Sequence, residues 1–322
     1  TEDRGQKSGE SRKEEEKMRI DDVQSYLMEK PIRNRLKGKN QGEVLTYASD
    51  ALIPGLNYYA QLRWITGMPV PDVSDTGLVS DCNKIVLFWG NDYKEPESLG
   101  AEIEFMLDGT SLRFSRSSAI FIPEGVSHGP ATWKSFASPH MEMTILINRG
   151  NRNGEIAADK AGSLRHISDP EKYLVRKPAY EVVAPTPTKN RMHPSMTFMS
   201  NNLVPGSNTY LEFSWIWGMP DPDPHIFEHV HDDSNELVFH IGGDPDNPES
   251  LGAEIEIFLD ERPLLLKKTC ALYAPKNVTH GPLKWKSYKR PHIEMAIIFD
   301  AGVLAQSDPG GHQKNINVED GK

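Results

Sequence analysis

Apolar and polar residues alternate along most of the chain. In Tyr210-Leu211-Glu212-Phe213-Ser214-Trp215-Ile216-Trp217, the side chains of Leu211, Phe213, Trp215 and Trp217 share one face of a strand. In His292-Ile293-Glu294-Met295-Ala296-Ile297-Ile298-Phe299, those of Ile293, Met295, Ile297 and Phe299 do the same. A period of two is the signature of a strand with one buried face. Many such short runs, broken by Gly, Pro, Asp and Asn, predict an all-β protein of sandwich or barrel type, with these apolar faces filling the barrels. Helical signals are few. Asp21-Asp22 ahead of Val23-Gln24-Ser25-Tyr26-Leu27 predicts one short helix. Ser168-Asp169-Pro170-Glu171 ahead of Lys172-Tyr173-Leu174 predicts its counterpart, with Pro just inside the start.

The pattern occurs twice. Pro96-Glu97-Ser98-Leu99-Gly100-Ala101-Glu102-Ile103-Glu104 recurs as Pro248-Glu249-Ser250-Leu251-Gly252-Ala253-Glu254-Ile255-Glu256. At the same spacing His128-Gly129-Pro130 matches His280-Gly281-Pro282, and Trp133-Lys134-Ser135 matches Trp285-Lys286-Ser287. Upstream, Trp64 to Pro69 matches Trp215 to Pro220 at a spacing one residue shorter, so the second copy carries one insertion after Gly-Met-Pro. Tyr26-Leu27 and Lys30-Pro31 match Tyr173-Leu174 and Lys177-Pro178. Two copies of this length are two homologous domains. The expected organisation is a disordered tail at 1–20, domain 1 at 21–152, a linker at 153–169, domain 2 at 170–304 and a polar tail at 305–322.

Composition narrows the function classes. The net charge of −10 opposes phosphate binding, so no nucleic-acid partner is expected. Two cysteines exclude a disulfide scaffold and a cysteine-rich zinc module. No apolar run is long enough to span a bilayer and no signal peptide is visible, so no membrane partner and a cytoplasmic location are expected. There is no Walker loop, nucleophile elbow or dinucleotide fingerprint.

One constellation carries chemistry. On a strand, His229 and His231 point to one face. Glu236 follows after a short turn, and His280 closes the later run Pro275-Lys276-Asn277-Val278-Thr279-His280. Three imidazoles and a carboxylate suffice to hold a divalent first-row metal and leave positions open for a ligand. The first copy acts as an internal control. There Gly77, Val79 and Lys84 align with His229, His231 and Glu236, and only His128 matches His280. Domain 1 is therefore expected to bind no metal and to act as a scaffold.

The run Gly218, His229, His231, Glu236, Gly243, then Pro275 and His280, resembles the two sequence motifs of the cupin superfamily. Two features depart from the pattern. The spacer from Gly218 to His229 is long, and Asn277 stands where a glycine is usual, a residue that can also take a left-handed turn. Two tandem copies look like a bicupin. The resemblance implies two jelly-roll barrels (double-stranded β-helices) with one metal per chain, Fe first, with Mn, Ni, Zn and Co as alternatives. It also implies a dioxygenase-like enzyme acting on a small organic, even aromatic, substrate, and a homodimer. The alternatives are an isomerase, lyase or decarboxylase that works without O2, and a non-catalytic binding module.

Residues confined to copy 2 are the pocket candidates: Phe227, which has the parity of His229, His240, four residues past Glu236, and Trp217, which aligns with Thr66. His240 is expected to face inward beside the metal. Residues present in both copies, His140 and Glu142 with His292 and Glu294, and Trp133 with Trp285, are expected to serve the fold. Tyr210 matches Tyr59, which argues against a site role. Cys270, ahead of Pro275, reads as buried filler. No residue is assigned a catalytic role.

Overall fold

The computed structural model describes residues 19–307, apart from 37, 72, 75–76 and 185–186. The tails expected at 1–20 and 305–322 lie almost wholly outside the described residues. Ile20 is an exception: it is buried, its N–H donates to Asp260 at 3.1 Å, and it belongs to the folded body.

The chain is all-β, as the alternation predicts. Each repeat makes a large sheet and a small one. In the second repeat the large sheet runs Cys270–Ala274, Asn235–Gly242, His292–Phe299, Thr209–Asp221, Ser195–Met199 and Ala179–Glu181. The small sheet is Arg262–Lys268, Ser250–Leu259 and His280–Tyr288. The first repeat has the same order at equivalent positions. Its small sheet is extended by Leu78–Ser80, Val73–Ser74 and the linker strand Glu155–Ala157. Both helical predictions appear as single 3-10 turns, Val23–Tyr26 and Pro170–Tyr173. Asp22 caps the first by accepting from the Gln24 N–H at 3.0 Å.

The repeats exchange their first strands. Leu27–Met28 pairs with Cys270–Ala274 of the second barrel, in the register Leu27 to Leu272. Leu174–Val175 pairs with Ser118–Ile122 of the first, in the register Leu174 to Ile120. The two pairings correspond under the repeat, so the strand order crosses the domain boundaries expected at 21–152 and 170–304.

The apolar faces seen in the sequence do not fill the barrels. Leu211, Phe213 and Trp215, with Ile293, Met295, Ile297 and Phe299, form a core shared with Leu62, Trp64, Trp89, Met141 and Met143 of the first repeat. That core lies between the two large sheets. The opposite parity (Tyr210, Glu212, Ser214, Ile216 and His292, Glu294, Ala296, Ile298) faces the second barrel's interior, where Leu251, Ile255, Ile257 and Trp285 supply most of the packing. Fully burying a large apolar side chain contributes roughly 1.5–3 kcal/mol. The shared core therefore welds the barrels rather than merely touching them together. Trp217 follows the same parity and stacks on Tyr93 of the first repeat, with ring centroids 5.8 Å apart.

Candidate metal centre

His229, His231, Glu236 and His280 converge, with ligand atoms all within 4.8 Å of one another. Glu236 opens the strand Asn235–Gly242 and His280 opens His280–Tyr288. His229 lies opposite His280 in an isolated bridge, each N–H donating to the other's carbonyl at 2.9 Å. Asn277, at φ 62°, takes the left-handed turn expected of it, and its N–H donates to the His231 carbonyl at 2.8 Å. Asn235 ties this turn to the ligand strand by accepting from the Lys276 N–H at 3.0 Å. Gly281 has φ 77°, and a Cβ there would stand 2.6 Å from the Phe227 carbonyl oxygen. Glycine beside His280 thus lets the segment before His229 close over the site.

The rings are oriented from behind. His229 Nδ1–H donates to the Phe227 carbonyl at 2.9 Å, and His280 Nδ1–H to Val278 at 3.2 Å. Both Nε2 atoms are thereby turned towards the centre. Glu236 Oε2 lies 3.0 Å from His231 Nε2 and 2.8 Å from His280 Nε2. Burial would raise the Glu236 carboxyl, but the two imidazoles hold it well below the usual carboxylate range. Burial would lower His280, but Glu236 lifts it above its ordinary value. Burial, helped by His280, pushes His229 down to about 3. An ionised carboxylate enclosed by three imidazoles, each with Nε2 turned inward, fits a divalent first-row ion.

The cluster opens into a cavity of about 100 Å³. Ile226, Val238, Ile257, Leu283 and Ile298 make most of its wall. Phe227 lines it as its parity suggested, and is 44% exposed. Two other pocket candidates are not in the lining. Trp217 belongs to the contact between repeats. His240 does face inward, but it lies one strand step beyond Val238, fully buried against Trp285 at 6.2 Å between ring centroids.

Three lining residues were passed over in the sequence. Tyr210, Glu212 and Glu294 all line the cavity. Glu294 receives Arg191 Nη2 at 3.1 Å and His225 Nε2 at 2.9 Å, and against the cost of burial these two partners hold it well below the usual range. Burial, with Glu294 adding and Arg191 offsetting part, pushes Glu212 up to about 8. The available signal was the copy comparison: Glu212 aligns with Gln61 and Arg191 with Gln41.

In the first repeat, Leu78 lies opposite His128, and the Gly125 N–H donates to the Ser80 carbonyl at 2.9 Å. Leu78 and Ser80, rather than Gly77 and Val79, therefore occupy the places of His229 and His231. The second copy has one more residue between this point and Asn235. No imidazole is gained by the corrected alignment.

No family model matches the sequence, and no curated protein does. Solved structures match in fold. An arginine-to-alanine mutant of Bacillus subtilis oxalate decarboxylase superposes with a TM-score of 0.55 at 9% identity, covering 86% of this chain and 77% of that one. Oxalate decarboxylase from Bacillus subtilis at pH 4.6 gives 0.55 at 8% identity, over 86% and 75%. The chain has the bicupin fold. A further structure of that decarboxylase, matching at 0.53 and 9% identity over 86% of this chain and 77% of that one, is described by its Mn(II) centres. In this bicupin the complete donor set belongs to the second barrel, among the described residues.

Proposed function

We propose that the protein is a mononuclear metal enzyme acting on a small, largely apolar organic substrate in the second barrel, with O2 as co-substrate. The observation that carries this is the His229, His231, Glu236 and His280 cluster at the wall of an apolar cavity. A bound divalent metal would supply Lewis acidity and open coordination positions. His229, His231, Glu236 and His280 would hold it, with iron first and manganese, described in a protein of the same fold, as the main alternative. The protein's own side chains do the rest. Val238, Ile257 and Leu283 exclude water, Phe227 walls the mouth, and the backbone carbonyls of Phe227 and Val278 fix the imidazole tautomers.

A second reading is favoured by the two carboxyl groups, Glu212 and Glu294, whose surroundings push them to opposite protonation states. Such a pair suits proton transfer in an O2-independent lyase, decarboxylase or isomerase. Oxygen uptake by protein loaded with Fe(II) or Mn(II), assayed against small aromatic and enolisable carbonyl compounds, tests the first reading. Substrate loss that proceeds equally without O2 selects the second. No substrate loss under either gas overturns both.

A further inference from the structure

The cavity lining has two polar parts. One of these is the ligand cluster and the other is the pair Glu212 and Glu294. Glu294 is fully engaged by Arg191 and His225. Glu212 is not. It is 5% exposed, and its Oε2 has no hydrogen-bond partner among the described residues. Buried polar atoms are almost always paired, so an orphan lining a cavity marks a place that a ligand completes.

The neighbouring residues show how the orphan arises. In the first repeat Tyr59 donates its phenol hydrogen to Gln61 at 2.6 Å. In the second, Tyr210 stands in the place of Tyr59 but donates to Glu181 Oε2 at 3.0 Å instead. Glu181 pairs with Ser195 at the end of its strand, where Asn34 pairs with Val44 in the first repeat. An acid introduced at 181 thus draws away the phenol that would otherwise satisfy position 212. This occurs only in the barrel that has the ligand cluster.

We propose that Glu212 contacts the substrate, donating a hydrogen bond from its carboxyl group to the carbonyl oxygen of a small ketone or aldehyde with an otherwise apolar body. The inference rests on the reading of this cavity as the substrate site. The chemistry follows from the walls. Val238, Ile257, Leu283 and Ile298 accept hydrocarbon, and a neutral carboxyl requires an acceptor. Burial and the Glu294 charge keep the proton on Glu212 at neutral pH. A dianion such as oxalate fits poorly, because Glu294 faces the cavity and its cation, Arg191, is already paired.

The test uses the full chain after removal of metal, with cyclohexanone as probe and methylenecyclohexane as its isostere lacking an acceptor. The wild type is expected to bind the ketone about tenfold more tightly. Its bound C=O stretch should also move to lower frequency than in an apolar solvent. Glu212→Gln, whose amide still donates, should keep most of the preference. Glu212→Leu should abolish both preference and shift. Equal binding of the two probes, no ketone binding by the wild type, or a preference that survives Glu212→Leu would overturn the proposal. Metal uptake is measured separately on the same three proteins. A chain that discriminates the probes but takes up no metal would overturn the metal assignment and leave the role of Glu212 standing.

Discussion

Lys84 occupies in the first barrel the position that Glu236 holds in the second. Lys84 lies between Ile122 and Leu146 across its sheet, and Glu236 lies between Ala274 and Ile298, their repeat equivalents. The Lys84 ammonium is 3.1 Å from His128 Nε2 and 2.8 Å from Glu155 Oε1. A tethered cation thus stands where the second barrel gathers donors for a free one. Glu155, on the linker strand, supplies the counter-charge.

Metal stoichiometry follows from this substitution. One transition-metal ion per chain is expected after reconstitution and gel filtration, measured by plasma mass spectrometry. A second tight equivalent that His128→Ala removes would contradict the assignment of Lys84.

Replacing His229, His231 or His280 by Ala should remove most bound metal while leaving the far-ultraviolet spectrum and the cooperative melt in place. The shared core that welds the barrels contains none of these residues. Glu236→Ala should weaken binding less, because three imidazoles remain. Full metal occupancy in any of the three histidine variants would refute its role as a ligand.

The Lys84–Glu155 pair sets an acid limit on stability. Burial would raise Glu155, but Lys84 and Arg152 more than reverse this and bring it to about 2, from 4.5. Its folded value is depressed, so the stabilisation is present above about pH 4.5 and is lost as the pH falls towards 2. The shift corresponds to about 3 kcal/mol. Lys84→Met alone should cost about 3 kcal/mol by leaving a buried carboxylate with Arg152 as its remaining cation, whereas Lys84→Met combined with Glu155→Leu should recover most of it. Urea titrations at several pH values check both effects, and a single mutant as stable as the double would refute the coupling.

A matched pair of histidines acts at higher pH. Trp133 Nε1–H donates to His140 Nε2 at 2.9 Å, and Trp285 Nε1–H to His292 Nε2 at 3.1 Å. Each ring also donates from Nδ1 to a backbone carbonyl, so it must be neutral. Burial lowers both to about 4, from 6.5. Because the unfolded chain takes up these protons first, stability should be full above pH 6.5 and decline as the pH falls to 4. His292→Gln should flatten part of that slope in urea titrations between pH 7 and 4. An unchanged slope would show that the protons go elsewhere.

The repeat, the strand pattern and the four converging side chains were legible in the sequence because each is local or follows from a period of two. The side chosen for the barrel interior was not. Leu211, Phe213 and Trp215 are more apolar than Tyr210, Glu212 and Ser214, and hydrophobicity alone assigns them inward. In a two-barrel protein the more apolar face serves the contact between barrels, which has no polar work to do. The face holding a site tolerates Glu212 and Glu294. Trp217 was misplaced for this reason. Glu294 was discounted because Glu142 matches it; both pair with an arginine, Glu142 with Arg63 and Glu294 with Arg191, but Glu294 also receives His225 and borders the cavity beside the ligand cluster. His225 and Arg191, which set its charge, come from loops and edges that no periodicity describes.

The exchange of Leu27–Met28 and Leu174–Val175 gives the chain a clasp. Each barrel closes its large sheet with a strand that belongs, in sequence, to the other. A cut between residues 153 and 169 would therefore not release two finished barrels. Each fragment would lack its closing strand and carry its neighbour's, leaving Cys270–Ala274 or Ser118–Ile122 as an open edge ready to pair with another chain. The first barrel is in this sense a working part of the second, because it holds the strand beside the sheet on which Glu236 is mounted.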